Sequence, residues 1–211
     1  MDISDYRVEY LKGGLNRVEL DACPFSQFEK WFMQASEAKL VDPNAMIIAT
    51  ASKLAKPTQR TVLLKQFDDK GFVFFTNYGS NKAQQIDENA QVSLLFPWLS
   101  LERQIEINGH ASKITEAESL AYFQSRPHGS QLGAWASKQS QEIASRSVLD
   151  QQLTDIENKY TEGEVPLPHW GGYRIVPDTF EFWQGGARRL HDRFEYTQNA
   201  NSEWQIQRLQ P

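Results

Sequence analysis

The sequence predicts an α+β protein that is mainly β, an antiparallel sheet closed into a barrel with helices packed outside. Three observations lead there. Short runs of strand length, apolar or alternating, recur along the chain. Hairpin-like spacings join several of them, and no regular β–α–β alternation appears. The helical patterns interrupt these runs in a few blocks.

Each element has its own signal. The first 20 residues are polar and read as a flexible segment, with Gly13-Gly14 as a joint; residues 21–211 read as one domain. Pro24 opens a helix in which Phe25, Phe28, Trp31, Phe32 and Ala35 share one face. From Ala45 the period changes to strands: Ala45–Ala51, Arg60–Lys65 and Gly71–Asn77, with Asp68-Asp69-Lys70-Gly71 as a hairpin signal. Ser80 reads as the N-cap of a short helix through Glu88. Strands follow at Gln91–Phe96 and Arg103–Ala111, the second alternating as a strand with one wet face does. Residues 115–160 read as helical, opened by a capping box from Thr115 to Glu118. After the proline-containing connection from Gly163 to Pro168, the tail returns to strands at Gly172–Val176, Thr179–Trp183, Asp192–Tyr196 and Trp204–Leu209.

Bulk properties exclude several function classes. A chain of 211 residues with 40% hydrophobic content buries a sizeable core, so disorder of the whole is excluded. A net charge of −5 argues against nonspecific nucleic-acid binding, which depends on neutralising many phosphates. No stretch approaches the ~18 apolar residues of a membrane span. The N-terminus lacks a secretory signal, so a cytoplasmic protein is expected. Cys23 stands alone and reads as structural or incidental. There is no GxGxxG, GxxxxGK[ST], HExxH or GxSxG, which argues against Rossmann, P-loop, zinc and serine-hydrolase sites.

The basic residues are grouped. Arg60 and Lys65 lie five apart on one expected strand and so face opposite sides. Lys82 stands in the first turn of the helix capped by Ser80, where free N–H groups suit a phosphate. Tyr122, Arg126 and Ser130 recur every four residues around a break at Pro127, a plausible phosphate cup. The densest cluster is Arg188-Arg189-Leu190-His191-Asp192-Arg193, directly after Trp183-Gln184-Gly185-Gly186. Strand alternation there puts Arg189, His191 and Arg193 on one side, and Asp192 reads as a local ion-pair partner.

These residues sit in recognisable segments. They are Gln59–Lys65, Thr76–Lys82, Ser93–Trp98 with Glu102–Gln104, Tyr122–Pro127, Gly133–Ser140, Pro166–Arg174 and Arg189–Arg193. In this order they resemble the pyridoxine (pyridoxamine) 5′-phosphate oxidase family. The resemblance implies an FMN-binding split β-barrel and a homodimer with a flavin in each of two clefts between subunits. It implies oxidation of pyridoxine 5′-phosphate or pyridoxamine 5′-phosphate at the 4′ carbon, with O2 as acceptor giving hydrogen peroxide, and ammonia from the amine.

The resemblance also implies site roles. Flavin contacts fall on Arg60, Thr61, Val62, Leu63, Leu64, Lys65, Phe75, Thr76, Asn81, Lys82, Gln104, Gln139, Ser140, Trp183 and Arg193. Arg60, Lys82 and Ser140 would engage the FMN phosphate. Lys65, Tyr122, Arg126 and Ser130 would hold the substrate phosphate. Arg189 and His191 would cover the pyridine ring as the catalytic pair, and Arg7 and Tyr10 would belong to a lid. Two positions depart from the family. Asn81 replaces an arginine beside Lys82, and Val8 replaces a basic residue beside Arg7. Two other readings stay open: a split-barrel protein that holds FMN or pyridoxal phosphate without turnover, and a related flavin reductase.

Overall fold

Strand β7 (Trp170–Gln184) organises the sheet in this computed structural model, which describes residues 1–6, 8–161 and 163–211. One edge of β7 pairs with β6 (Arg103–Lys113) from Tyr173 to Gln184. Its other edge is divided. Trp170–Ile175 pair with β4 (Gly71–Asn77), and Thr179–Gln184 pair with β8 (Asp192–Gln198). Residues 176–178 pair with neither β4 nor β8, and Pro177, which has no N–H to donate, falls in that gap.

The remaining strands extend the two sides. The order is β2-β1-β5-β6-β7-β4-β3, all antiparallel, with β9 (Trp204–Leu209) on β8. Here β1 is Ala45–Ala51, β2 Pro57–Leu63, β3 Gln66–Asp68 and β5 Gln91–Trp98. Strand β2 comes back against β4 without a ladder among the described residues, so contact rather than hydrogen bonding closes the barrel there.

The sequence-based reading separated Gly172–Val176 from Thr179–Trp183. The structure joins them, because β6 runs past the Pro177 break through a register shift at Asn108/Gly109. A Cβ at Gly109 would lie 2.2 Å from the Val176 carbonyl oxygen, so only glycine allows that approach. The β3–β4 hairpin turns where the Asp-Asp-Lys-Gly signal places it, with Gly71 at φ +131°.

Helix α1 (Pro24–Glu37) buries Phe28, Trp31 and Ala35 against the barrel, and Phe25 and Phe32 pack at its margin. Trp31 meets Phe182 edge to face at 5.3 Å, and Phe28 meets Phe72 at 4.8 Å. The expected helical block divides into α3 (Glu116–Ser125), α4 (His128–Ala136) and α5 (Arg146–Lys159). Thr115 and Glu118 form the expected capping box. The α3–α4 pair covers a second, smaller core of Phe123, Leu132, Val165 and Trp170. No helix among the described residues is long and apolar enough to cross a membrane.

The N-terminal segment is docked. Leu15 and Leu20 are buried, and Leu15 N–H donates to Asp192 at 2.9 Å. Asp192 also pairs with Arg208, as its local ion-pair reading anticipates.

Candidate active site

Helix α2 (Asn81–Glu88) begins at Ser80, whose hydroxyl accepts from the Ala83 N–H. That places Lys82 in the first turn, facing inward and only 8% exposed. Its ammonium donates to Thr76 Oγ1 at 3.1 Å and Gln139 Oε1 at 2.9 Å. Burial, and then the charge of Arg60, push its pKa down to about 8. Arg60 sits behind it on β2, and burial lowers its pKa as well. Two cations are therefore held near each other in a partly dehydrated place.

A cavity of about 700 Å³ opens in front of Lys82. Lys65, Arg126 and Ser130 reach it from three other segments. Arg126 follows the last residue of α3 in an extended conformation that Pro127 favours, so the chain bends there before α4. The guanidinium lies over Trp170 at 4.7 Å and Phe123 at 5.7 Å. Its Nη1 is buried and has no hydrogen-bond partner. Phe75 stacks on Tyr122 at 3.9 Å and on Trp170 at 5.3 Å, making one flat wall.

No Asp or Glu lines this cavity. Arg60, Lys65, Lys82 and Arg126 form no ion pair among the described residues. Lys65, Lys82 and Arg126 line the cavity, while Arg60 stands outside its wall and acts on Lys82 by charge; in a chain of net charge −5, that grouping of unpaired cations suits an anion.

A second cavity, of about 590 Å³, shares no lining residue with the first. Gln104, Trp183, Tyr10 and Arg103 line it. The His191 ring lies 4.6 Å from Trp183, and Tyr10 meets both edge to face. The Gly186 N–H donates to His191 Nδ1 at 3.1 Å. A neutral imidazole accepting at Nδ1 carries its hydrogen on Nε2. Trp170 faces the first cavity and Trp183 the second, separated by about 40 Å of strand contour along β7.

Comparison with known proteins gives this arrangement a family. A model described as pyridoxamine 5′-phosphate oxidase matches residues 32–160. The chain belongs to that family. A second model, the pyridoxine 5′-phosphate oxidase C-terminal dimerisation region, matches residues 170–211. The pyridoxine/pyridoxamine 5′-phosphate oxidase of Rippkaea orientalis is 58% identical over 212 residues, covering 100% of both chains. That of Escherichia coli O139:H28 is 53% identical over 210 residues, 99% of this chain and 96% of the relative. Among solved structures, PhzG of Burkholderia lata, in complex with tetrahydrophenazine-1-carboxylic acid, superposes with a TM-score of 0.85. It shares 28% identity and covers 90% of this chain and 94% of its own. A pyridoxamine 5′-phosphate oxidase-related, FMN-binding protein of Nostoc punctiforme shares the fold, with a TM-score of 0.72, 15% identity and 91% and 100% coverage.

The residues expected from the oxidase family fall into two groups. Thr61, Val62, Leu63, Lys65, Phe75, Thr76, Lys82, Gln139, Tyr122, Arg126 and Ser130 line the first cavity. Gln104, Trp183 and Tyr10 line the second, with His191 against Trp183. Others stand apart. Leu64 is buried in the barrel core. Asn81 is exposed and outside the first cavity wall. Ser140, at φ +70°, lines a small neighbouring pocket that Gln139 also borders. Arg193 is held by Glu181 in a two-point ion pair of 2.7 and 2.9 Å. Arg7 lies outside the described residues.

Two expectations are corrected. Lys65 lies beyond the end of β2, so strand alternation with Arg60 does not set its direction. Arg189 is not on a strand either. β8 starts at Asp192, and Arg188 and Arg189 form a tight turn at φ +55° and +66°. That turn, not alternation, presents Arg189, which is exposed and has no ion pair among the described residues. Trp170, the platform under Arg126, was missed; its signal was a large aromatic at the start of a strand that also carries two glycines, Gly171 and Gly172.

Arg126 Nη1 is an unsatisfied buried donor, so it costs the unliganded fold roughly 1–3 kcal/mol. Arg126→Leu is expected to leave the urea midpoint of the unliganded protein equal or higher and to abolish stabilisation by a phosphate monoester. A fall in the unliganded midpoint with ligand stabilisation intact would make Arg126 structural.

Proposed function

We propose that the chain assembles its active site from the first cavity of one copy and the second cavity of another, with FMN between them. It is a pyridoxine/pyridoxamine 5′-phosphate oxidase, producing pyridoxal 5′-phosphate from either substrate. Relatives of that name at 53–58% identity span the whole chain. The observation that carries the reading is the carboxylate-free cavity in which Lys65, Lys82 and Arg126 converge. Two phosphate monoesters, one on the cofactor and one on the substrate, match two groups of unpaired cations. A phosphate on the substrate distinguishes this chain's ligand from the carboxylic acid bound by the Burkholderia neighbour.

In this reading Arg60 and Lys82, with Gln139 and Ser140, take the FMN phosphate. Lys65, Tyr122, Arg126 and Ser130 take the substrate phosphate. Stacking on Trp170 holds Arg126 in place before the substrate arrives, so little orientational freedom is lost on binding. Gln104 and Trp183 of the second copy face the flavin, and Arg193, fixed by Glu181, sets the local charge beside them. Arg189 and His191 cover the substrate ring, His191 offering the Nε2 hydrogen that remains when Nδ1 accepts from Gly186. Tyr10, packed on Trp183 and His191, belongs with residues 1–20 to a lid over this end. Residues 21–211 form the single catalytic domain. FMN, when bound, would supply the two-electron acceptor for oxidation at the 4′ carbon, with O2 as the final acceptor giving hydrogen peroxide. A cytoplasmic setting suits a chain whose one cysteine, Cys23, is free.

The protein loaded with FMN is expected to consume O2 with pyridoxine 5′-phosphate and to release one peroxide per pyridoxal 5′-phosphate. Arg189→Leu should lower turnover by roughly 100-fold while leaving flavin content unchanged. Peroxide no higher than with free flavin would point to a carrier instead.

Lys82 gives a pH signature. A phosphate dianion favours its charged form, so FMN binding is strongest between the second phosphate pKa of about 6 and the Lys82 pKa of about 8, and weakens as pH rises through the latter. Fluorescence titration of the apoprotein should show that fall, and Lys82→Met should flatten it. A flat wild-type profile would contradict the role of Lys82.

A further inference from the structure

Arg60 is held by a shell that contains no negative charge. Its Nη1 donates to the Ile48 carbonyl at 3.2 Å and to Thr50 Oγ1 at 2.7 Å, and its Nη2 donates to Thr58 Oγ1. Both hydroxyls donate onward to one acceptor, Gln85 Oε1, at 2.5 Å from Thr50 and 2.7 Å from Thr58. A hydroxyl has a single hydrogen. Giving it to Gln85 turns the oxygen lone pairs toward the guanidinium. Gln85 Nε2 faces the Lys56 carbonyl at 3.5 Å, which orients the amide oxygen toward the hydroxyls. Gln85 and Thr50 are both buried. Gln85 lies three residues after Lys82 on α2, so one face of that helix delivers both.

We propose that Gln85 is a positioning residue for the cofactor phosphate, fixing Arg60 through Thr50 and Thr58 while leaving its positive charge uncompensated. The inference rests on the reading that Arg60 and Lys82 take the FMN phosphate. Three of the five guanidinium N–H groups are engaged by the shell, and two remain for a ligand. A glutamate would have the same shape and accept the same two hydroxyls. It would also set a carboxylate one hydroxyl away from the guanidinium; where a carboxylate pairs directly, as Glu181 does with Arg193, the arginine pKa is raised. Arg60 has its pKa lowered by burial with no such partner. The neutral amide therefore matters: it supplies geometry without cancelling the field that a phosphate would meet.

The test compares FMN with riboflavin, which lacks the phosphate, by quenching of flavin fluorescence on the apoprotein. Gln85→Glu is expected to weaken FMN by about tenfold or more while changing riboflavin by less than about twofold. Gln85→Met, which frees the two hydroxyls but adds no charge, should give a smaller loss, again confined to FMN. Arg60→Met serves as the reference. If Arg60→Met leaves the FMN-to-riboflavin ratio unchanged, the reading of Arg60 fails and the inference with it. If Arg60→Met lowers that ratio but Gln85→Glu does not, Gln85 has no positioning role and the reading of Arg60 stands. A parallel loss of both flavins in the Gln85 variants would mark Gln85 as structural and overturn the proposal.

Discussion

The division of one edge of β7 between β4 and β8 is the constraint on which the rest of the molecule depends. It forces a single fifteen-residue strand to serve two regions of the sheet. Trp170, at one end, supports Arg126 and the aromatic wall of the cationic cavity. Trp183, near the other end, supports His191 and Tyr10. The two cavities share no lining residue within one chain. In the proposed arrangement, two copies bring the halves together by setting the second cavity of one against the first cavity of the other. A C-terminal region whose family model is named for dimerisation contains β7, β8 and β9.

Charge is divided along the same line. The first cavity keeps its cations free of carboxylates, although the chain as a whole is acidic. Burial of Lys82 next to Arg60 is unfavourable by itself, and so is the unsatisfied Arg126 Nη1. Such local costs persist where ligand binding recovers them. The other end is compensated: Arg193 is tied to Glu181, and Asp192 to Arg208 and the Leu15 N–H. One end is thus prepared for anions and the other for packing and for positioning a ring.

Local rules made much of this legible in the sequence. Ser80 before Lys82 marked a helix start that aims a cation inward, and the structure has that cap. The four-residue recurrence of Tyr122, Arg126 and Ser130 around Pro127 placed three side chains in one cavity wall. The Arg188–Arg193 cluster is visible in the sequence, but its geometry is not. Period-two alternation assumes a strand, whereas the close approach of Gly186 to the Leu190 carbonyl closes a turn there instead. In the sequence Pro177 looks like a break in β7, because its partner strand is unknown; only the β6 ladder carries the strand through. Gln85 left no local trace. A glutamine on a short helix acquires meaning only when β1 and β2 bring Thr50 and Thr58 to it.

The most direct measurement of the shared site is complementation between two inactive variants. Lys82→Met removes a group from the first cavity, and Trp183→Ala removes one from the second. Each variant alone is expected to have little activity. After co-refolding in equal amounts, half of the dimers are mixed, and each mixed dimer keeps one intact site of two. Activity should then recover to about a quarter of the wild-type value. Mixed dimers that form, as mass spectrometry would register, but show no recovered activity would mean that both groups act within the same chain, and would contradict a site shared between copies.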